Sequence, residues 1–237
     1  MSDEARFLDA KTAYVSSIPA EATAKILVAE TETEDEQREY FLKDERVGLR
    51  HFSPTGDLEW EWAFRSGARH GWMYRWHAPD CLYSAESYEN GLAHGTAYQW
   101  AEDGRRIGTC TLMHGTGLDL WREALPDGRI GLAEAHYMKN GLPHGWEWWF
   151  HAETGVIWRE THWFEGERHG IEREWNGEKL TRDSPRYWLH SERVPKPKYV
   201  RACLKDATLL PFRLEDNAPQ RDFPPEVALN LVHERKA

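Results

Sequence analysis

The chain is poor in cysteine and has no long apolar run. Three cysteines, Cys81, Cys110 and Cys203, lie 29 and 93 positions apart in 237 residues. They are too few and too scattered for a disulfide framework or paired zinc ligands. Nowhere does an apolar stretch approach the roughly eighteen residues that a membrane helix needs, so no membrane insertion is expected. The opening MSDEARFLDA lacks the basic start and apolar middle of a secretion signal, which points to a cytoplasmic protein. Catalytic signatures are missing too. There is no G-x-S-x-G elbow, no phosphate-cradling glycine loop and no H-E-x-x-H helix. Cys203 has no assignable base. No catalytic residue and no cofactor are therefore expected.

Positive charge is also scarce. The net charge is -10, and residues 1–47 hold twelve acids against six bases, whereas residues 185–237 hold seven acids against ten bases. The one basic run, Lys196 to Lys205, is short and broken by Pro197. Nucleic acid and anionic lipid both need a basic stripe, so neither is an expected partner.

What the chain does have is a period. One series of turn positions runs Gly56, Asp80, Gly104, Gly128, Gly155, Gly177, at intervals of 24, 24, 24, 27 and 22. A second runs Gly67, Gly91, Gly115, Gly141, Gly166, at 11, 11, 11, 13 and 11 residues after its partner. Asp-Gly and Asn-Gly pairs supply the positive φ of tight hairpin turns, so each period reads strand, turn, strand, turn. Between the turns, apolar residues recur at every second place: Trp72, Tyr74, Trp76; Tyr98, Trp100; Leu118, Leu120; Trp146, Trp148, Phe150; Ile171, Trp175. That alternation puts them on one face of a pleated strand. Thr96 and Arg173 are the exceptions in the series.

The stretch YENGLAHGTAYQW, varied as MKNGLPHGWEWWF, resembles the MORN-repeat variant family, whose bacterial members are described as antitoxin-like. The resemblance covers about residues 40–183. It implies a mainly β repeat protein in which stacked antiparallel β-hairpins form an elongated, twisted sheet, and a role in binding proteins rather than in chemistry. The expected organisation is an acidic N-terminal cap over 1–39 with a helix and a strand, repeats over 40–183, and a C-terminal extension over 184–237 ending in a helix. The chain departs from the pattern at Asp80, at the shortened HGTG of 114–117 and in the lengthened hairpin around 122–137. Bulges or bends are expected there.

The recurring Gly-x-x-His-Gly places His70, His94, His144 and His169 at equivalent points, which invites a metal site. Equivalent points in successive hairpins are two strands, about 10 Å, apart, while zinc–histidine bonds are only about 2.0–2.1 Å long. The four cannot share an ion, so no metal is expected and each histidine is assigned to its own turn.

Two classes of function remain. In the first the chain is a binding module of antitoxin or immunity type, in which Trp72, Tyr74, Trp76, Tyr98, Trp100, Trp146 and Trp148, together with the acidic Glu32, Glu34, Asp35 and Glu36, engage a basic partner protein such as a toxin or effector. In the second it is a scaffold in membrane-associated or larger assemblies, as the resemblance implies for related eukaryotic proteins. An enzyme of unrecognised type is a third alternative. The partner's identity and the oligomeric state are not encoded in any of these patterns.

Overall fold

The structure is a computed structural model that describes residues 6–27 and 35–233. Strands joined into antiparallel hairpins dominate two compact units, Met1–Gly115 and Thr116–Ala237. In unit 1, β1 (Thr23–Leu27), β2 (Glu36–Leu42), β3 (Glu45–Phe52) and β4 (Leu58–Arg65) each pair with the next. The two-residue β5 (Ala68–Arg69) leads into β6 (Gly71–Ala78), which pairs with β4 and with β7 (Cys81–Glu89). The short β8 (Leu92–Ala93) leads into β9 (Gly95–Trp100), which lies between β7 and β10 (Arg106–Met113). In unit 2 the meander is β11 (Thr116–Ala124), β12 (Ile130–Lys139), β13 (Leu142–His151), β14 (Val156–Phe164) and β15 (Glu167–Asn176). After the short β16 (Lys179–Leu180), β17 (Arg186–Leu189) pairs with β15 and with β18 (Glu192–Val194). The mainly β, stacked-hairpin fold is thus as the two turn series imply.

The second series makes one kind of turn throughout. Ser66-Gly67, Asn90-Gly91, His114-Gly115, Asn140-Gly141 and Glu165-Gly166 all have positive φ at both positions, from 49° to 53° and then 70° to 90°. Two adjacent left-handed residues are the signature of the type I′ hairpin, whose twist matches the strands it joins. Lys43-Asp44 and His190-Ser191 make the same turn without glycine, at 49° and 65° and at 47° and 64°. The hairpin series therefore starts at β2 and continues to Val194, beyond the expected end at 183.

The glycine after each turn histidine makes a bulge. Gly170 has φ 148°, and a Cβ there would lie 2.7 Å from the Cβ of His162 on the paired strand. Only glycine admits that approach, and the bulge turns the preceding histidine toward the next hairpin.

Within the described residues, parts of both terminal segments lie over sheet faces, while β1 and Val232–His233 pair along strand edges. Among the described residues of unit 1, the expected N-terminal helix is broken after Arg6 by a turn at Phe7 and Leu8 and resumes only as the single turn α1 (Ala10–Ala13), where the Asp9 side chain accepts a hydrogen bond from the Lys11 N–H at 2.9 Å. The turn and α1 together bring Phe7, Ala10, Ala13 and Tyr14 down onto the rings of β6 and β9. In unit 2, α2 (Lys196–Cys203) packs with β17, and Tyr199 is fully buried against Ile171 and Tyr187. The expected C-terminal helix is likewise short. It runs only over α3 (Pro225–Ala228), and the chain then becomes β19 (Val232–His233), paired with Ile130 and Gly131 of β12. The end of β12 has ladder groups that β13 does not reach, and pairing them outweighs another helical turn.

Candidate functional site

Alternation gives every strand two faces, and in each unit the terminal segment covers one of them. On the covered face of unit 1, Phe7 stacks on Tyr98 with ring centroids 4.4 Å apart and tilts against Trp72 at 4.5 Å. Tyr14 meets Tyr74 and Trp76 edge-on at 5.0 and 5.1 Å. Tyr74 and Trp100 are fully buried, Tyr98 nearly so, and Trp72 and Trp76 partly. In unit 2, Trp148 is buried under Phe223, edge-on at 5.5 Å, while Trp146 stacks on Trp148 at 6.1 Å and is half-buried. The ladder rings that sequence alternation offers as partner anchors are thus packed against the protein's own ends. Of the acidic run, Asp35 is exposed and 3.4 Å from His51, and Glu36 pairs with Arg38; Glu32 and Glu34 lie outside the described residues.

The opposite faces carry a second set of tryptophans. In unit 1, Trp60, Trp62 and Phe64 run along β4 with centroids 5.1 and 6.5 Å apart. His51 lies flat on Trp60, and the Arg69 and Arg46 guanidiniums sit over Trp62 and Phe64 at 3.9 and 4.4 Å. In unit 2 the set is Trp121, Trp149, Trp163 and Trp188, all half-buried. Three of their indole N–H groups donate to carboxylates: Trp121 to Asp119 at 3.1 Å, Trp149 to Glu147 at 2.9 Å and Trp188 to Glu172 at 2.9 Å. Arg168 lies over both Trp163 and Trp188, at 5.7 and 4.9 Å. Between these rings His136 bridges Glu134 at 2.9 Å and Glu147 at 3.3 Å. Burial works against its charge, but the hydrogen bonds and Coulombic pull of the two carboxylates prevail and raise its pKa to about 9. This imidazolium holds a cross-strand pair, His136 opposite Glu147, in place.

Sequence reading took no partner anchor from this second set, although the alternation Trp60, Trp62, Phe64 is as regular as that of Trp72, Tyr74, Trp76. Alternation announces two faces without saying which one a terminal segment covers.

The turn histidines form a third constellation. In three hairpins the imidazole Nδ1 accepts a hydrogen bond from the backbone N–H of the left-handed residue in the next turn: His94 from His114 at 3.2 Å, His144 from Glu165 at 3.3 Å and His169 from His190 at 3.1 Å. The repeated His-Gly is therefore a staple from one hairpin to the next. His70 Nδ1 is buried without a hydrogen-bond partner. The four equivalent histidines do not meet, but residues at other positions join two of them. His94 and His114 approach to a 4.1 Å centroid separation, with Glu89 beside them, and His169 and His190 approach to 4.2 Å, with Asp206 beside them. Such groups resemble ligand sets, yet the staple fixes the chemistry. A backbone N–H can only donate, so Nδ1 must be bare and the neutral ring carries its proton on Nε2. In His169 that Nε2 faces Thr208 at 3.1 Å and Asp206 at 3.3 Å. A metal at Nε2 would have to strip this proton or break the staple.

No family model matches the chain, and no curated protein matches it. Among solved structures, a protein of unknown function from Bacteroides caccae aligns with 10% identity and a TM-score of 0.21. The alignment covers 63% of this chain and 53% of that one, so the chain matches about half the length of that neighbour. Among the described residues, no helix is long and apolar enough to cross a membrane.

Proposed function

We propose that the chain is a non-enzymatic protein-binding repeat module of antitoxin or immunity type, as the MORN-variant resemblance implies, and that its partner docks on the tryptophan-and-carboxylate face of the sheet. The observation that carries this reading is the division of labour between faces. One aromatic set is consumed by the core, while the other stays half-exposed with three of its indole N–H groups tied to carboxylates. Tryptophan is the residue most enriched among energetic anchors of interfaces. The partner is a basic protein. The chain carries a charge of -10, and its tryptophans already receive guanidiniums from Arg69 and Arg168, the geometry in which a partner's arginine or lysine would sit. Charge complementarity of this kind speeds encounter, whereas the rings hold the bound state.

The test starts from a photo-cross-linking residue placed at Trp149, which covalently traps the natural partner in cells that carry the gene. The partner is then purified, and its binding is measured by surface plasmon resonance. Trp149→Ala or Trp188→Ala should weaken it by about thirtyfold or more, mainly through faster dissociation, and rising salt should slow association. Unchanged binding by both variants, with loss only on neutralising Glu32, Glu34, Asp35 and Glu36, would move the interface to the N-terminal acidic run.

A further inference from the structure

Where the C-terminal extension crosses the covered face of unit 2, it leaves a cavity of about 520 Å³. Tyr137, Trp146 and Trp148 of the sheet and Pro211 and Pro224 of the extension form flat, apolar walls. Arg173, Arg213, Asp216, Arg221 and Asp222 complete the lining with charge. Arg173 takes a place in the aromatic ladder and is fully buried, and it donates to the buried Glu160 at 2.6 Å. Arg221 donates to both oxygens of the same carboxylate, at 3.1 and 2.8 Å. Two guanidiniums thus face one fully buried carboxylate, and the carboxylates of Asp216 and Asp222 also line the cavity. Asp216 is the nearby counter-ion, but it is one-third exposed and stands 3.6 Å from Arg173 Nη2 without a hydrogen bond. Arg173 Nη2 and Arg221 Nε are buried donors with no acceptor. Buried donors are almost always satisfied, and each unsatisfied one marks a place where an acceptor is wanted. Arg213 stands exposed at the rim.

We infer that this cavity binds a small planar organic acid, with its flat body between the tryptophan and proline walls and its single carboxylate supplying acceptors to Arg173 and Arg221. The size is that of small-molecule sites in general, which are mostly apolar with a few converging polar groups. A carboxylate suits the paired, planar donors of a guanidinium better than a neutral acceptor does. A dianion fits less well, because Asp216 and Asp222 already bring two negative charges to the lining. This site is separate from the tryptophan face of the proposed interface, and neither needs the other.

The probes are benzoate and indole-3-carboxylate, with benzamide and indole-3-carboxamide as neutral matches, titrated into the full chain by isothermal calorimetry. The acids should saturate with a dissociation constant on the order of 1 mM or tighter, and the amides should bind about tenfold more weakly. Arg221→Gln should cost the acids about tenfold and the amides little. If that variant does not fold, Arg213→Ala at the rim, which should weaken the acids by about threefold, keeps the question open to measurement. Equal binding of acid and amide, no saturation by about 10 mM, or full affinity in the arginine variants that fold would overturn the proposal.

Discussion

Glu61 and Glu160 hold the same place in the two units. Each is fully buried on the covered face, opposite one ladder residue on either side: Arg50 and Tyr74 flank Glu61, and Trp148 and Arg173 flank Glu160. The terminal segments complete the two sites differently. In unit 1, Tyr14 and Ser16 donate hydroxyls to Glu61 at 2.8 Å each, alongside Arg50 at 2.8 Å. In unit 2 the extension brings a second guanidinium, Arg221. One site is closed by neutral donors over a filled aromatic core, while in the other two guanidiniums share one carboxylate beside a cavity. The same repeat thus becomes a structural core in one unit and a polar pocket in the other, according to which residues the non-repeat segment lays over it.

The largest test of this contrast removes each carboxylate. Glu160→Ala leaves two guanidiniums buried without their partner and should cost about 3–5 kcal/mol in unit 2. Glu61→Ala leaves Arg50, whose side chain is 24% exposed and can reach water, so about 1–3 kcal/mol is expected in unit 1. Urea unfolding followed by hydrogen exchange assigns each loss to its unit. Equal losses, or a greater one at Glu61, would show that the second arginine does not matter.

The aromatic plugs come next. Phe7 is fully buried among Trp72, Tyr98 and Trp100, so Phe7→Ala should cost about 3–4 kcal/mol. Phe223 is partly exposed over Trp148 and Phe150, and Phe223→Ala should cost about half as much. Phe7→Ala should also release the N-terminal segment, seen as faster exchange of the Trp72 amide, which now donates to Ser17 Oγ at 3.0 Å. A fully protected Trp72 amide in a destabilised variant would mean that the segment docks without its phenylalanine.

How much of this could be read from the chain follows from what each feature depends on. The hairpins were legible because a type I′ turn with glycine announces itself, as at Asn90-Gly91 and Asn140-Gly141. Lys43-Asp44 and His190-Ser191 adopt the same conformation on residues that ordinarily avoid it, and this concealed the first and last hairpins. Arg173 was visible as an interruption of the ladder, but its meaning depends on Glu160 and Arg221, 13 and 48 positions away in the chain. The shortness of the expected C-terminal helix was illegible for a similar reason. An apolar stripe such as Val227, Leu231 and Val232 fits a helix, and only the unpaired end of β12 turns it into a strand.

The third test belongs to the exposed face of unit 2. The folded pKa of His136, about 9, lies above the ordinary value of 6.5, so its contribution is complete below pH 6.5 and is lost as pH rises toward 9. About 2–3 kcal/mol should disappear over that window in unfolding experiments on the parent protein, and His136→Gln should flatten the profile there. A slope that survives the substitution would place the titrating group elsewhere. Acid acts oppositely on His169, whose pKa is lowered by burial and by His190 against the pull of Asp206. Its contribution is complete above pH 6.5 and declines as pH falls below that.

The smallest effects concern the staples, and they separate histidines that look identical in sequence. His94, His144 and His169 each accept a backbone N–H from the next turn, so replacement by alanine leaves that N–H without its acceptor. His144→Ala and His94→Ala should each cost about 1 kcal/mol, the net worth of one such bond where water can partly replace it. His169 is buried, with its Nε2 against Thr208 and Asp206, and His169→Ala should cost about 2 kcal/mol because both nitrogens lose partners. His70 has no partner at Nδ1, so His70→Ala should cost about half a kcal/mol or less. The measurement is the midpoint of thermal unfolding at pH 7.5, repeated with added zinc. If zinc raised the midpoint of the parent protein but not of His94→Ala or His169→Ala, the imidazoles would be giving up the Nε2 proton that the staple requires, and the paired histidines would be ligands rather than hinges between hairpins.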